Sequence, residues 1–161
     1  MHLVHDKIAE KYDDDNSQRE FSNKFAKYRR TLLSYADGRV LEMGVGTGAN
    51  LAFYSSETGK ESLVTEVVGV DWSANMLMQA FGKLDDLKRE RTNLPKITFL
   101  QADCQHLSQF QDDSFDCVVD TLTLHSTYDR KQHCAEMQRL CRPGGHILLM
   151  QRGASYLSVY N

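Results

Sequence analysis

The residues of this sequence with chemistry to offer are a cluster of glycines and a series of acids placed around it. Gly44, Gly46 and Gly48 follow an apolar run in VLEMGVGTGANL, with Glu42 just ahead of them. Glycines so spaced allow close backbone approach to a ligand and positive φ in the turn. With Ala49 in the last slot the stretch also satisfies the looser dinucleotide pattern G-x-G-x-x-G/A. Tight packing of a strand against a helix can demand the same glycines. The loop alone therefore leaves open whether its ligand carries a pyrophosphate or no phosphate at all.

The acids bear on this choice: Asp71 is common to both readings, and Asp103, Glu42 and Asp120 separate them. Asp71 closes the segment VTEVVGVD, where a carboxylate can accept both hydroxyls of an adenosine ribose. It could instead cap the helix that follows, although Ser73 is better placed for that. Asp103, in QADCQHL, can accept from the exocyclic amine of adenine, or be a solvated loop acid. Glu42 is an acid where a pyrophosphate binder would avoid negative charge; a ligand with an ammonium and a sulfonium welcomes one. Asp120 adds another acid to the same rim, as a ligand contact, a helix cap or a solvated charge. His125, in TLTLHST, is the best-placed general base, against the plainer reading of a structural or solvated loop histidine. No metal site is expected: the cysteines at 104, 117, 134 and 141 form no CxxC pair.

Elements that would position these residues alternate along the chain. RVLEMG (39–44), VTEVVGVD (64–71), KITFLQAD (96–103), FDCVVDTLTL (115–124) and GHILLMQ (145–151) read as strands. Continuous apolar strands separated by helix-length segments predict a parallel sheet covered on both faces. Ser73 caps a predicted helix with Met76, Leu77, Ala80, Phe81, Leu84 and Leu87 on its apolar face. Asp129 precedes another, with Cys134, Met137, Leu140 and Cys141 inward, which Pro143-Gly144-Gly145 stops. Upstream, Phe21, Phe25, Tyr28, Leu32, Leu33 and Tyr35 mark an amphipathic helix. The fold class expected is α/β, a Rossmann-like sheet of about five parallel strands. Ligands of such sheets bind beyond the carboxyl ends of the strands, where the strand order reverses. That places Gly44–Gly48, Asp71, Asp103 and Asp120 along one crevice.

With 161 residues, the chain is expected to be one domain: a helical cap over 1–36, a core over 37–153 and a tail over 154–161. A net charge of −3 gives no global reason to bind nucleic acid or an anionic membrane. The basic cluster Lys88, Arg89, Arg91 and Lys96 reads as a solvated helix end balanced by Asp85, Asp86 and Glu90. No run approaches the roughly 20 apolar residues of a membrane span. The N-terminus has neither a secretory h-region nor transit-peptide character. The chain is therefore expected to be intracellular and cytoplasmic.

VLEMGVGTGANL, VVGVD, QAD, SFDCVVDTLTLHS and EMQRLCRPGGHILLMQRG together resemble the ordered motifs of class I S-adenosylmethionine-dependent methyltransferases. The resemblance covers roughly residues 6 to 153. Within that superfamily the last two segments are most similar to a methyltransferase-like group of mitochondrial inner-membrane proteins and alkyl thiol methyltransferases. The resemblance implies that Glu42, Gly44, Gly46 and Gly48 surround the methionine end of S-adenosylmethionine. It implies Asp71 on the ribose, Asp103 with Cys104 beside adenine, and Thr121 near the transferred methyl. Tyr12 resembles a tyrosine of an N-terminal helix that closes over the cofactor, or is a packing tyrosine. The group implies mitochondrial localisation as the alternative to cytoplasmic. The family sheet has two further strands after the fifth, so they are expected to be missing here, or a protein partner to cover the open sheet edge. The activity expected is methyl transfer to a small-molecule nucleophile: a thiol, a phenol or a carbon. The alternative is an RNA- or protein-modifying enzyme, or a non-catalytic assembly subunit. A nicotinamide-dependent oxidoreductase fits the acid-lined loop poorly.

Overall fold

Valine-rich runs with few polar interruptions can be satisfied only where both faces of a strand are covered. The computed structural model, which describes residues 19–55 and 63–151, has five strands in one sheet, the inner three largely buried and the two edge strands more exposed than the expected cover on both faces. They are β1 (Gly38–Met43), β2 (Val64–Asp71), β3 (Lys96–Gln101), β4 (Phe115–Thr121) and β5 (Cys141–Met150). All pairings are parallel, in the order β3-β2-β1-β4-β5. The order reverses between β1 and β4, as the class expects.

Three described helices accompany the sheet: α1 (Arg19–Leu33), α2 (Ala74–Glu90) and α3 (Arg130–Leu140). Strand residues alternate between two apolar layers. Leu41, Met43, Val68, Val70, Phe115 and Val118 pack on one face with Met137 and Leu140 of α3. Val40, Val67, Cys117 and Val119 pack on the other with Leu33 of α1. Leu77, Leu84 and Leu87 of α2 join Val45 and Leu51 in a third cluster. Ser73 caps α2, its side chain accepting from Met76 N–H, and Asp129 caps α3 through Lys131 and Gln132 N–H. Among the described residues no helix is long and apolar enough to cross a membrane.

The structure departs from several sequence expectations. Tyr28 and Tyr35 are exposed, so α1 buries a narrower stripe than its aromatic content implies. Phe81 is half exposed, its ring edge-on to Phe99 at 4.7 Å between centroids. On α3 the expected Met137 and Leu140 are buried, as is Cys141 at its end, but Cys134 is only half-buried and His133 and Glu136 are buried instead. The strand assigned to β5 begins at Cys141, directly after α3. Its Pro143-Gly144-Gly145 segment falls in the register shift between Phe115 and Cys117 of the pairing with β4.

Leu84 is 2% exposed in the α2 cluster. Leu84→Ala is expected to lower unfolding free energy by about 2–5 kcal/mol. Phe81→Ala, which removes a half-exposed aromatic pair, should cost only about 1 kcal/mol. Urea denaturation with unchanged m-values checks both.

Candidate functional site

The loops leaving β1, β2, β3 and β4 converge on one open cleft. Gly44, Val45, Gly46, Thr47 and Ala49 supply one wall, Asp71 to Ser73 the next, and Asp103 to Gln105 the third. Thr121 to Thr123, with Ser126 and Thr127, form the wall after β4, and Arg29 of α1 enters from the side.

The three glycines have positive φ for three different reasons. A Cβ at Gly44 would collide with the Thr123 side chain, so this glycine lets the β4 wall close on the β1 loop. A Cβ at Gly48 would stand 2.5 Å from Leu51, so this one serves packing and does not line the cleft. At Gly46 a Cβ would meet nothing within 4 Å. Gly46 therefore presents bare backbone to the open space.

Asp71 Oδ2 accepts from Gly46 N–H at 2.8 Å, and Oδ1 from Ser73 N–H at 2.9 Å. Asp103 Oδ1 accepts from Gln105 N–H at 2.9 Å. Both carboxylates thus hold loop backbone while also lining the cleft. A carboxylate offers about four acceptor sites, so each retains capacity for a ligand hydroxyl or amine.

Glu42 lies deeper, 1% exposed. Its Oε1 accepts from Asn50 Nδ2 at 2.8 Å and its Oε2 from Tyr54 Oη at 2.9 Å. Burial raises its pKa from 4.5 to about 7, against the opposing hydrogen bonds and the Arg29 charge. Asn50 Nδ2 also donates to Thr121 Oγ1 at 3.0 Å, and Arg29 donates to both Asn50 Oδ1 and Thr121 Oγ1 at 2.7 Å. Glu42 therefore stands behind the wall, its nearest link to the cleft running through Asn50 and Thr121.

Asp120 is also behind the wall. Neighbouring strand residues point to opposite faces, and Asp120 turns toward α3 while Thr121 turns toward Asn50. The Asp120 carboxylate, fully buried, faces His133 Nε2 at 2.7 Å and accepts from Thr123 N–H and Gln151 Nε2. His125 is exposed on the turn Leu124–Ser126 and is not among the lining residues. Cys104 is buried in the wall, where desolvation and then the Asp71 charge push its thiol well above the usual range, so it stays neutral. Tyr12 lies outside the described residues.

The cleft thus gathers Gly44, Gly46, Asp71, Asp103, Cys104 and Thr121 of the residues expected there. Sequence reasoning missed Arg29, Asn50, Tyr54 and His133. Asn50 and Tyr54 follow the glycine loop closely, and His133 shares the buried face of Met137 and Leu140. An arginine on a helix carries no comparable signal.

A model of a methyltransferase domain matches residues 41–149 of the chain. The chain is 34% identical over 128 residues to phosphatidylethanolamine N-methyltransferase of Cereibacter sphaeroides, covering 78% of this chain and 57% of that protein. It is 31% identical over 158 residues to the ubiquinone/menaquinone biosynthesis C-methyltransferase UbiE of Bdellovibrio bacteriovorus, covering 96% and 62%. The fold matches CrArsM, an arsenic(III) S-adenosylmethionine methyltransferase from Chlamydomonas reinhardtii, with a TM-score of 0.58. Identity there is 26%, over 68% of this chain and 36% of that one. The chain thus spans 57% and 62% of the length of these two curated relatives.

A carboxyl whose pKa rises to about 7 on folding binds a proton more tightly in the folded state. Stability is therefore lost as pH rises from the unfolded value near 4.5 through 7. Glu42→Gln removes this dependence. The variant's stability relative to the parent should rise by about 3 kcal/mol between pH 4.5 and pH 8, as urea denaturation at each pH would read.

Proposed function

The chain belongs to the class I S-adenosylmethionine-dependent methyltransferase superfamily, and from that premise we propose that it transfers a methyl group to a small-molecule nucleophile. The observation that carries this reading is the bare backbone at Gly46 beside the Asp71 carboxylate, with Asp103 in the next wall of the same cleft. Asp71 would serve the ribose of either kind of adenosine ligand, whereas the further acid at Asp103 suits a cationic adenosyl ligand better than a pyrophosphate.

Bound there, S-adenosylmethionine would supply an electrophilic methyl carbon on a sulfonium. Asp71 has acceptor capacity for the ribose hydroxyls, and Asp103, beside the neutral thiol of Cys104, for the adenine amine. Gly44 and Gly46 would admit the methionine moiety. Arg29 suits its carboxylate, and the carboxyl of Glu42 beneath the loop adds a favourable field for its ammonium. Thr121 to Thr123 wall the side where an acceptor would approach. Such a cleft contributes chiefly by holding the acceptor in line with the departing sulfur.

The relatives act on phosphatidylethanolamine, at nitrogen, and in ubiquinone/menaquinone biosynthesis, at carbon. They add an amine to the thiol, phenol or carbon acceptors expected from the sequence. A second reading, a methyltransferase-like assembly subunit, is favoured by Ile147 and Leu149 exposed on the edge strand β5.

Calorimetry with S-adenosylhomocysteine and with NAD separates these outcomes. Binding of the first alone is expected. Binding of neither by folded protein favours the assembly reading, and preference for NAD overturns the cofactor. Asp71→Ala should weaken S-adenosylhomocysteine by about 2–4 kcal/mol, the loss of charge-assisted hydrogen bonds. Unchanged affinity would remove Asp71 from the site.

A further inference from the structure

His133 takes no part in the cleft described above, yet it is a fully buried histidine on α3 facing a fully buried carboxylate. The Asp120 carboxylate collects donors from three segments. Thr123 N–H donates to Oδ1 at 3.0 Å, Gln151 Nε2 donates to Oδ1 at 2.7 Å, and His133 Nε2 is 2.7 Å from Oδ2. The contact is short enough for a hydrogen bond between the imidazole and the carboxylate.

The turn this carboxylate holds is strained. Leu122 has φ of 65°, in the left-handed region that a γ-branched residue rarely adopts, and its N–H donates to Met150 O at 2.8 Å. Thr123 then lies against Gly44, its Oγ1 donating to Gly44 O at 3.3 Å. Leu122 and Thr123 both line the cleft. A residue held in such a region persists where its surroundings over-determine it, and such residues cluster at functional sites. Here the determinants are the Met150 carbonyl and the Asp120 carboxylate.

His133 itself has a second observation against a purely stabilising role. Among the described residues its buried Nδ1 has no hydrogen-bond partner. A buried polar atom left unpaired is destabilising, and an apolar side chain among Met137 and Leu140 would avoid it.

We propose that His133 is a positioning residue. Through Asp120 it fixes the Leu122–Thr123 turn against Gly44, and so sets the acceptor-side wall of the cleft. The effect on the cofactor rests on the methyltransferase reading; the mechanical link from His133 to the turn does not. Two measurements keep them apart. Amide hydrogen exchange on the ligand-free protein reads the link, and calorimetry with S-adenosylhomocysteine reads its consequence.

In His133→Leu, exchange at the Leu122 and Thr123 amides is expected to quicken at least about tenfold, with Val40 and Leu41 in β1 unchanged. S-adenosylhomocysteine affinity should fall about tenfold. His133→Gln, which retains a donor, should restore both to within about threefold. Met137→Ala, a cavity in the same helix face, should lower stability without the affinity loss. Unchanged exchange at the turn in His133→Leu overturns the proposal. So does equal quickening in β1, or an equal affinity loss in Met137→Ala. Should His133→Leu fail to fold, Asp120→Ala, which removes the acceptor of Thr123 N–H, carries the same comparison, and an unaltered turn in it is equally fatal. If the parent protein binds no S-adenosylhomocysteine but the exchange pattern holds, the cofactor reading fails and the link from His133 to the turn stands.

Discussion

A carboxylate brought to the end of a buried parallel strand must be given donors, because leaving it unpaired costs more than the fold can spare. That requirement organises the cleft end of this protein. Glu42, Asp71 and Asp120 lie at the carboxyl ends of β1, β2 and β4, and Asp103 follows β3. Asn50 and Tyr54 satisfy the first, Gly46 and Ser73 backbone the second, and Gln105 the last. Thr123, Gln151 and His133 satisfy Asp120. Most of these donors belong to the loops that wall the cleft. The acids therefore build the site before any of them touches a ligand.

The opposite ends of the strands handle charge differently. Glu66 is paired with Arg39 and Lys96, and Asp116 with Arg142, all partly exposed. Hydrogen bonds from Lys96 and Arg39 hold Glu66 below its ordinary pKa, and the Arg39 backbone N–H followed by the Arg142 guanidinium does the same for Asp116. Being exposed, the pairs contribute little net stability. At the cleft end the acids are held mainly by amides, hydroxyls and backbone N–H groups, which neutralise nothing. Arg29 supplies a compensating cation there. Negative potential is left where a sulfonium and an ammonium would be seated, and this electrostatic asymmetry supports the cofactor reading.

The strand ends were legible because they need only the hydrophobic run and the residue that stops it. β2 spans the expected residues 64–71, and Ser73 and Asp129 cap their helices as read. Facing was less legible. Asp120 shares the parity of Val118 and turns toward α3, whereas Thr121 shares that of Val119 and turns toward Asn50. The alternation was in the sequence, but a crevice drawn from strand ends alone ignores it. On α3, His133 was passed over because histidine reads as polar, which moved the inward stripe to Cys134. Tyr28, Tyr35 and Phe81 were assigned inward from apolar character, although aromatic rings often leave one side to solvent. Gly44, Gly46 and Gly48 form one motif in sequence and three separate steric solutions in space. Only knowing what stands opposite each Cβ distinguishes them.

The two central strands are tied crosswise at the point where the sheet order reverses. The carboxylate at the end of β1 holds Asn50, and Asn50 bonds Thr121 at the end of β4. The carboxylate at the end of β4 holds Thr123, and Thr123 bonds the carbonyl of Gly44 just past β1. One tie runs on the Asn50 face of the sheet, while the other is anchored from the α3 face. Each loop is thus held by the acid of the strand that precedes it and tied by the same residue to the neighbouring strand. Displacing either wall strains the other, so effects of substitutions along the two ties are not expected to add. That coupling lets a cleft made of loops keep the shape that in-line chemistry requires. It also accounts for acids that look like ligand contacts in the sequence and act as framework in the structure.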